Sequence, residues 1–314
     1  MLGKLGIEPE LLAKVYESPE VTGHVSEQAA KATGLSTSTL VVGGAGDNAA
    51  AAVGTGTVED GKAFTTIGTS GVVFAHSSRL AIDKAGRVHT FCCAVPGAWH
   101  VMGVMQSAGL SKRWARDTFC EAETARAQQE GVDPYVLMDQ LAQASPVGAN
   151  RLLYLPYLMG ERTPHLDADC RGVFFGLSAM HRKGDLLRAV MEGVSFGLRD
   201  SLDILDDMGV NSDSMLLTGG GAKSAFWRQM LADVYARPVQ TINSPEGPAL
   251  GVAILAGVGA GVYRSVEAAC EQLVHPEKTI APNPDNLAAY QAYHRLFKQL
   301  YPALKPSWQA LARL

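Results

Sequence analysis

Three short apolar or β-branched runs in this chain each end in a cluster of glycines. Thr39–Val42 runs into Gly43-Gly44-Ala45-Gly46, Ala63–Ile67 into Gly68-Thr69-Ser70-Gly71, and Met215–Thr218 into Gly219-Gly220-Gly221. A strand that stops on glycine can turn sharply and let a neighbouring backbone or a ligand come close. After the first and third clusters the pattern turns helical: an alanine run at 49–52, and Ser224–Ala236. The second leads into Val72–Phe74, which reads as the return strand of a hairpin. Strand, glycine turn and helix in alternation predict an α/β fold.

The other elements fit this plan. Residues 1–40 read as a connector, with short helical patterns at Pro9–Val15 and Ser26–Thr33 around an extended loop at Glu17–Gly23. Thr39–Val42 is expected to be a buried strand. His100–Met105 reads as a strand and Ser107–Phe119 as a helix. Asp185–Met208 is the strongest helix, with Asp185 as N-cap, Leu187, Val190, Met191, Val194, Leu198, Leu202 and Leu205 on one face, and Gly209 as its stop. Pro248 opens a small-residue helix through Val262. A last amphipathic helix spans about 286–301.

Composition removes several function classes. Of 314 residues, 47% are apolar and 18% charged, which suits a folded chain of roughly two domains. The net charge of −4 gives no basic footprint for nucleic acid. No apolar run is long enough for a membrane span, and Met1–Glu10 lacks the pattern of a signal peptide, so the expected location is the cytoplasm. The five cysteines, Cys92, Cys93, Cys120, Cys170 and Cys270, show no CxxC spacing and read as buried small hydrophobes.

Four segments could carry chemistry. Asp47, behind its glycines and at a helix start, could act as a general base towards a hydroxyl, or could simply cap the helix. Gly68-Thr69-Ser70-Gly71 offers N–H groups and hydroxyls to phosphate oxygens, or is an ordinary hairpin turn; it lacks the lysine of a P-loop. Gly219-Gly220-Gly221 before a helix suits an anion or nucleotide, or close helix–strand packing, and does not complete a dinucleotide fingerprint. Pro156–His165 holds Glu161, Arg162 and His165 in one irregular loop, which could be a salt-bridged structural corner. His165, like His89 and His100, has no second histidine at ligand spacing. No nucleophile elbow is present.

In this order the segments resemble the FGGY family of carbohydrate kinases, nearest to its xylulose-phosphorylating branch. The resemblance rests on Gly44–Val53, Ile67–Gly71, Leu155–His165 leading into Arg171–Leu177, Leu217–Ser224 and Trp227–Asp233. It implies an actin-like ATPase (RNase H-like) fold of two domains around a cleft. It implies ATP-dependent phosphorylation of D-xylulose to D-xylulose 5-phosphate, with Asp47 as the base and Asn48 beside the sugar. Gly68, Thr69 and Ser70 would face the ATP phosphates. Gly109 and Arg113 match nucleotide-contacting positions, Gly220 and Gly221 would pack on the adenosine, and Ala225 would lie near the base. Mg²⁺ would travel with the phosphates on mostly water ligands. The resemblance gives Glu161, Arg162 and His165 no chemical role.

The same resemblance implies an organisation: 1–43 as the end of a first FGGY domain and connector, 44–262 as the nucleotide-binding carboxy-terminal domain, and 263–314 as a helical segment. The first domain's own Asp-x-Gly-Thr turn and sugar contacts are not in this sequence. The expectation is therefore a carboxy-terminal portion, with weak nucleotide binding and negligible turnover alone. Its apolar face around 1–43 and the last helix would be covered by an amino-terminal kinase half or by a second copy. Other readings are a non-catalytic nucleotide-binding or interaction module, and a kinase of the same family for glycerol, gluconate, ribulose or rhamnulose.

Overall fold

The computed structural model describes residues 1–243 and 247–314. Its centre is a seven-stranded sheet in the order 276–280, 239–242, 215–218, 63–67, 71–77, 99–105, 89–92. Strand 63–67 pairs parallel with 215–218, which pairs parallel with 239–242. The remaining pairs are antiparallel. Parallel neighbours far apart in sequence require crossovers, and helices supply them.

Alternation along the central strand assigns its two faces. Ala63 and Ile67 join Val73, Val101 and Met105 against the helices Lys183–Asp207 and Ala225–Tyr235. Thr65, fully buried between them, bonds the Tyr235 hydroxyl at 3.0 Å. Phe64 and Phe74 point the other way, stack at 4.7 Å and pack with Ala52 and Leu216. The helix Asp47–Gly54 carries Ala52, and the helix Gly247–Gly259 crosses it backbone to backbone at Gly54 and Gly251.

Several local expectations change. Leu40–Val42 is a strand but an exposed one: it pairs only with Val21–His24 in a two-stranded ribbon, and Leu40 and Val41 face solvent. Pro9–Val15 shortens to a 3₁₀ turn at Pro9–Leu11, with Leu11, Leu12 and Val15 exposed. Asp185 is not the N-cap; Arg182 is, and Asp185 sits three positions in, where its carboxylate accepts the Arg182 N–H at 2.8 Å. The small-residue helix ends at Gly259, and Gly261, at φ 75°, lies in the left-handed region beyond it. The last helix runs Pro284–Leu311, through Pro302 and Pro306. Buried Trp308 explains the extension, because it packs on Tyr157 and Tyr301 and so outweighs the cost of interior prolines. Cys92 is exposed, while the other four cysteines are buried.

Candidate active site

The turn Gly68–Ser70 follows the central strand, and its carbonyls are tied to the next helix. The N–H of Gly109 donates to the Gly68 carbonyl at 2.8 Å, and that of Leu110 to the Thr69 carbonyl at 3.0 Å. This contact requires glycine at 109: a Cβ there would lie 3.1 Å from the Gly68 carbonyl carbon and closer to its oxygen. Gly219, at φ 81°, sits over the Ile67 backbone, and a Cβ on Gly221 would meet the Ile67 side chain at 2.6 Å. The neighbouring strands are joined by Thr66 and Thr218, whose hydroxyls lie 2.6 Å apart.

These turns open onto a cleft of about 350 Å³, within the range of small-molecule sites. Gly68, Thr69, Gly109, Arg113, Gly220 and Gly221 all line it. Gly68 and Gly220 differ from the others. A Cβ on Gly68 would find nothing nearer than 3.7 Å, and one on Gly220 nothing nearer than 4.0 Å, with neither residue in the left-handed region. The fold does not require glycine at these two positions, so the space they leave is available to a ligand.

The remaining candidate residues lie elsewhere. Ser70 is exposed in the turn but does not line the cleft. Ala225 lines a second cavity of about 530 Å³ with Phe226, Arg188 and Tyr290. Asp47 is the first residue of its helix, whose N-cap is Gly46. Its exposed carboxylate accepts the Asn48 backbone N–H at 2.7 Å and the Asn48 side-chain amide at 3.2 Å. Neither Asp47 nor Asn48 lines the cleft.

Sequence reading missed the far wall. The helix Pro134–Gln143 begins behind Asp133, whose side chain accepts the Tyr135 N–H at 2.9 Å. It brings Asp133, Tyr135, Val136 and Asp139 to the cleft, where Asp139 pairs with Lys112. Asp133 followed by Pro134 is a helix-start signal that could have located this helix. Asp139 and Lys112 are far apart in sequence, and no local pattern joins them.

The Pro156–His165 loop is a structural corner, though not a salt-bridged one. Buried Glu161 accepts the N–H groups of Gln106 and Arg162 through Oε1, both at 2.8 Å, and its Oε2 has no partner among the described residues. His165 bonds the Tyr157 hydroxyl at 3.0 Å and stacks on Tyr301 at 3.5 Å, and burial pushes its pKa down to about 4. Burial pushes the Glu161 carboxyl up to about 8, against the two N–H bonds that favour the anion. The folded chain therefore holds a proton that the unfolded chain has already lost. Stability from this group is full below about pH 4.5, declines as pH rises, and is lost through about pH 8. Glu161→Gln is expected to remove this dependence, gaining on the parent by up to about 1.4 kcal/mol per pH unit across that window. Urea unfolding of both proteins at pH 6 and pH 9 checks this; an identical pH response would refute it.

Among the described residues, Asp200, Asp203 and His294 form a cluster of possible metal ligands. They do not line the cleft. Their acceptors are already engaged within the protein: Asp200 by His294 at 2.8 Å, Asp203 by Arg199 and Lys298. No helix among the described residues is long and apolar enough to cross a membrane.

Residues 63–260 match the FGGY family of carbohydrate kinases, C-terminal domain, and residues 1–54 match the N-terminal domain of that family. The chain is 39% identical to the xylulose kinase of Escherichia coli (strain K12) over 307 residues, 98% of this chain and 61% of that protein. It superposes on a ligand-bound xylulose kinase from Lactobacillus acidophilus with a TM-score of 0.89 at 28% identity, covering 99% of this chain and 61% of that one. A gluconate kinase from Lactobacillus acidophilus gives the same TM-score, 0.89, at 28% identity and the same coverages, 99% and 61%. The chain thus spans about three-fifths of the length of the relatives it matches. The shared architecture is the actin-like ATPase fold.

Proposed function

Because the chain belongs to the FGGY family of carbohydrate kinases, we propose that it forms the nucleotide-holding part of an ATP-dependent sugar kinase that converts D-xylulose to D-xylulose 5-phosphate. One observation carries this reading: Gly68, Thr69, Gly109, Gly220 and Gly221, from three separated segments, converge on one cleft. Gly68 and Gly220 leave room there that the fold itself does not use.

Phosphoryl transfer asks a protein chiefly for positioning and for a group that takes the acceptor's proton. The phosphates would lie against the Gly68–Ser70 turn, with the adenosine packed on Gly220 and Gly221. Asp47 would accept the proton of the attacking sugar hydroxyl, with Asn48 holding the sugar. ATP would supply the phosphoryl group, and Mg²⁺ bound with it would neutralise its charge. The cleft carries Asp133 and Asp139, but the first caps a helix and the second pairs with Lys112, so no protein ligand set is assigned to the ion.

The boundaries we propose are 1–43 as part of the first domain, 44–262 as the nucleotide-binding domain and 263–314 as a helical segment on it. The rest of the sugar-binding wall would come from an amino-terminal kinase half or from a second copy seated on the exposed apolar residues of 1–43. Xylulose is preferred on the wording of the Asp47 and Gly160–His165 segments. Gluconate is the second reading, favoured by the equal superposition on a gluconate kinase.

Gly68→Ala and Gly220→Ala test the nucleotide site. Both should fold with unchanged thermal stability, because each methyl has room. Each should weaken ATP about tenfold in calorimetric titration, because the added methyl occupies space that the nucleotide would fill. Parent-like ATP affinity in both variants would remove the basis of the reading. ADP production with xylulose and with gluconate then separates the two sugars.

A further inference from the structure

The corner loop holds one residue to which neither the fold nor the proposed function gives a task. Arg162 is exposed, and among the described residues its guanidinium enters no hydrogen bond or ion pair. Both its neighbours are buried, Glu161 at 4% and Thr163 at 2% exposure. Glu161 Oε1 accepts the N–H groups of Gln106 and of Arg162 itself. Thr163 donates its N–H to the Val104 carbonyl at 3.0 Å. Its hydroxyl oxygen accepts the Val104 N–H at 3.0 Å, and the hydroxyl donates to the Arg87 carbonyl at 2.8 Å. The backbone at 162 is therefore fixed from both sides. A carboxyl is buried for this with one oxygen unpartnered, at a cost in free energy that an apolar residue would not carry. An idle surface arginine needs no such mounting.

The segment 161–163 lies beside 104–106, continuing the place that strand 89–92 occupies beside 99–102. Val104 pairs in turn with Val72, and Met105 with Gly71. Arg162 thus stands two strand spacings, about 10 Å, from the glycine hairpin. Alternation assigns its face. A Cβ on Gly103 would touch both Thr163 and Ser201, so Thr163 points to the helix 183–207. Arg162 points the other way, to the face where Val72 and Met102 pack with Ala52 of the helix 47–54. His89, paired with Met102 on that face, feels the charge: burial first, and then the Arg162 guanidinium, hold its pKa below the usual value. Asp47 begins that same helix. A permanent cation and the proposed base share one face of the sheet.

We propose that Arg162 reads an anionic group on the sugar ligand: its guanidinium forks onto a carboxylate or a phosphate while Asp47 faces the reacting hydroxyl. A guanidinium stays charged at every working pH, and its planar N–H pair matches two oxygens of either group. A sugar acid brings the carboxylate; a sugar phosphate, the product, brings the phosphate. A neutral sugar offers hydroxyls alone, which gain less from the charge. This inference rests on the sugar-kinase reading above and adds to it a discriminating contact on the acceptor side.

Calorimetric titration of the full chain at low salt with D-gluconate, D-xylulose 5-phosphate and D-xylulose tests it, with ATP titrated alongside. The parent should bind at least one of the two anions about tenfold or more tightly than xylulose. Arg162→Gln, at an exposed position, should melt like the parent and lose that preference. Arg162→Lys keeps the charge without the fork and should retain only part of it. A loss confined to gluconate assigns a carboxylate ligand, and a loss confined to the sugar phosphate assigns a phosphate. A parent that prefers neither anion overturns the inference, as does a folded Arg162→Gln that keeps the preference. A parent that fails to bind ATP overturns the nucleotide site instead, because Arg162 does not line that cleft.

Discussion

Gly251→Ala is expected to destabilise the chain by about 3 kcal/mol or more, and Gly54→Ala by a similar amount. Helix propensity alone predicts the opposite, a gain of roughly 0.5–1 kcal/mol per substitution. Packing decides the sign. A Cβ on Gly251 would lie 2.7 Å from the Ala50 carbonyl carbon and closer to its oxygen, and a Cβ on Gly54 the same 2.7 Å from that of Gly247. The neighbour in each case is helix backbone, which cannot swing aside as a side-chain tip can. Relief requires the helices 47–54 and 247–259 to part, which opens Val53, Ile254 and Leu255 to water. Denaturant unfolding measures the loss; a change under 1 kcal/mol in either variant would show that the crossing is softer than described.

Asp47→Asn should have the largest effect on turnover. Loss of a positioned general base typically lowers rate by about 10²–10⁴-fold. In the kinase assembled from this chain and an amino-terminal FGGY domain, xylulose-dependent ADP production should fall by that factor. ATP affinity should not change, because Asp47 does not line the nucleotide cleft. The amide keeps the size of the side chain and its acceptor oxygen for the Asn48 N–H, so folding is not the cause of the loss. In a non-catalytic nucleotide-binding module the substitution would be silent, and that outcome would sink the assignment of Asp47.

The centre of the fold was readable because its signals are local. Ala63–Ile67 and Met215–Thr218 are β-rich runs closed by glycine, and Leu187 through Leu205 keep one helical face for about five turns. The edges were not. Strand 276–280 contains Pro276, Glu277 and Lys278, and holds its place by pairing with 239–242 rather than by propensity. Leu153–Leu155 and Val173–Phe175 pair across the irregular Pro156–His165 loop. Leu40–Val42 reads as buried from its residues alone, yet exposure depends on what lies against it.

The site divides in the same way. The glycines of the cleft announce themselves, because each punctuates a strand or helix boundary. Lys112, Asp139 and Trp227 do not: an isolated lysine on a helix reads as a solvated residue until a second helix brings a carboxylate to it. Glu161 is similar. Beside Arg162 in sequence it suggests an ion pair, but the fold turns its carboxyl inward to two backbone N–H groups.

The bonds from Gly109 and Leu110 to the Gly68 and Thr69 carbonyls make the hairpin tip and the start of the helix 109–119 a single stiff piece. Lys112 stands within the first turn of that helix. A small displacement at the tip is passed along this lever to the Lys112 ammonium and its Asp139 partner, so the hairpin tip and the helix Pro134–Gln143 shift as one.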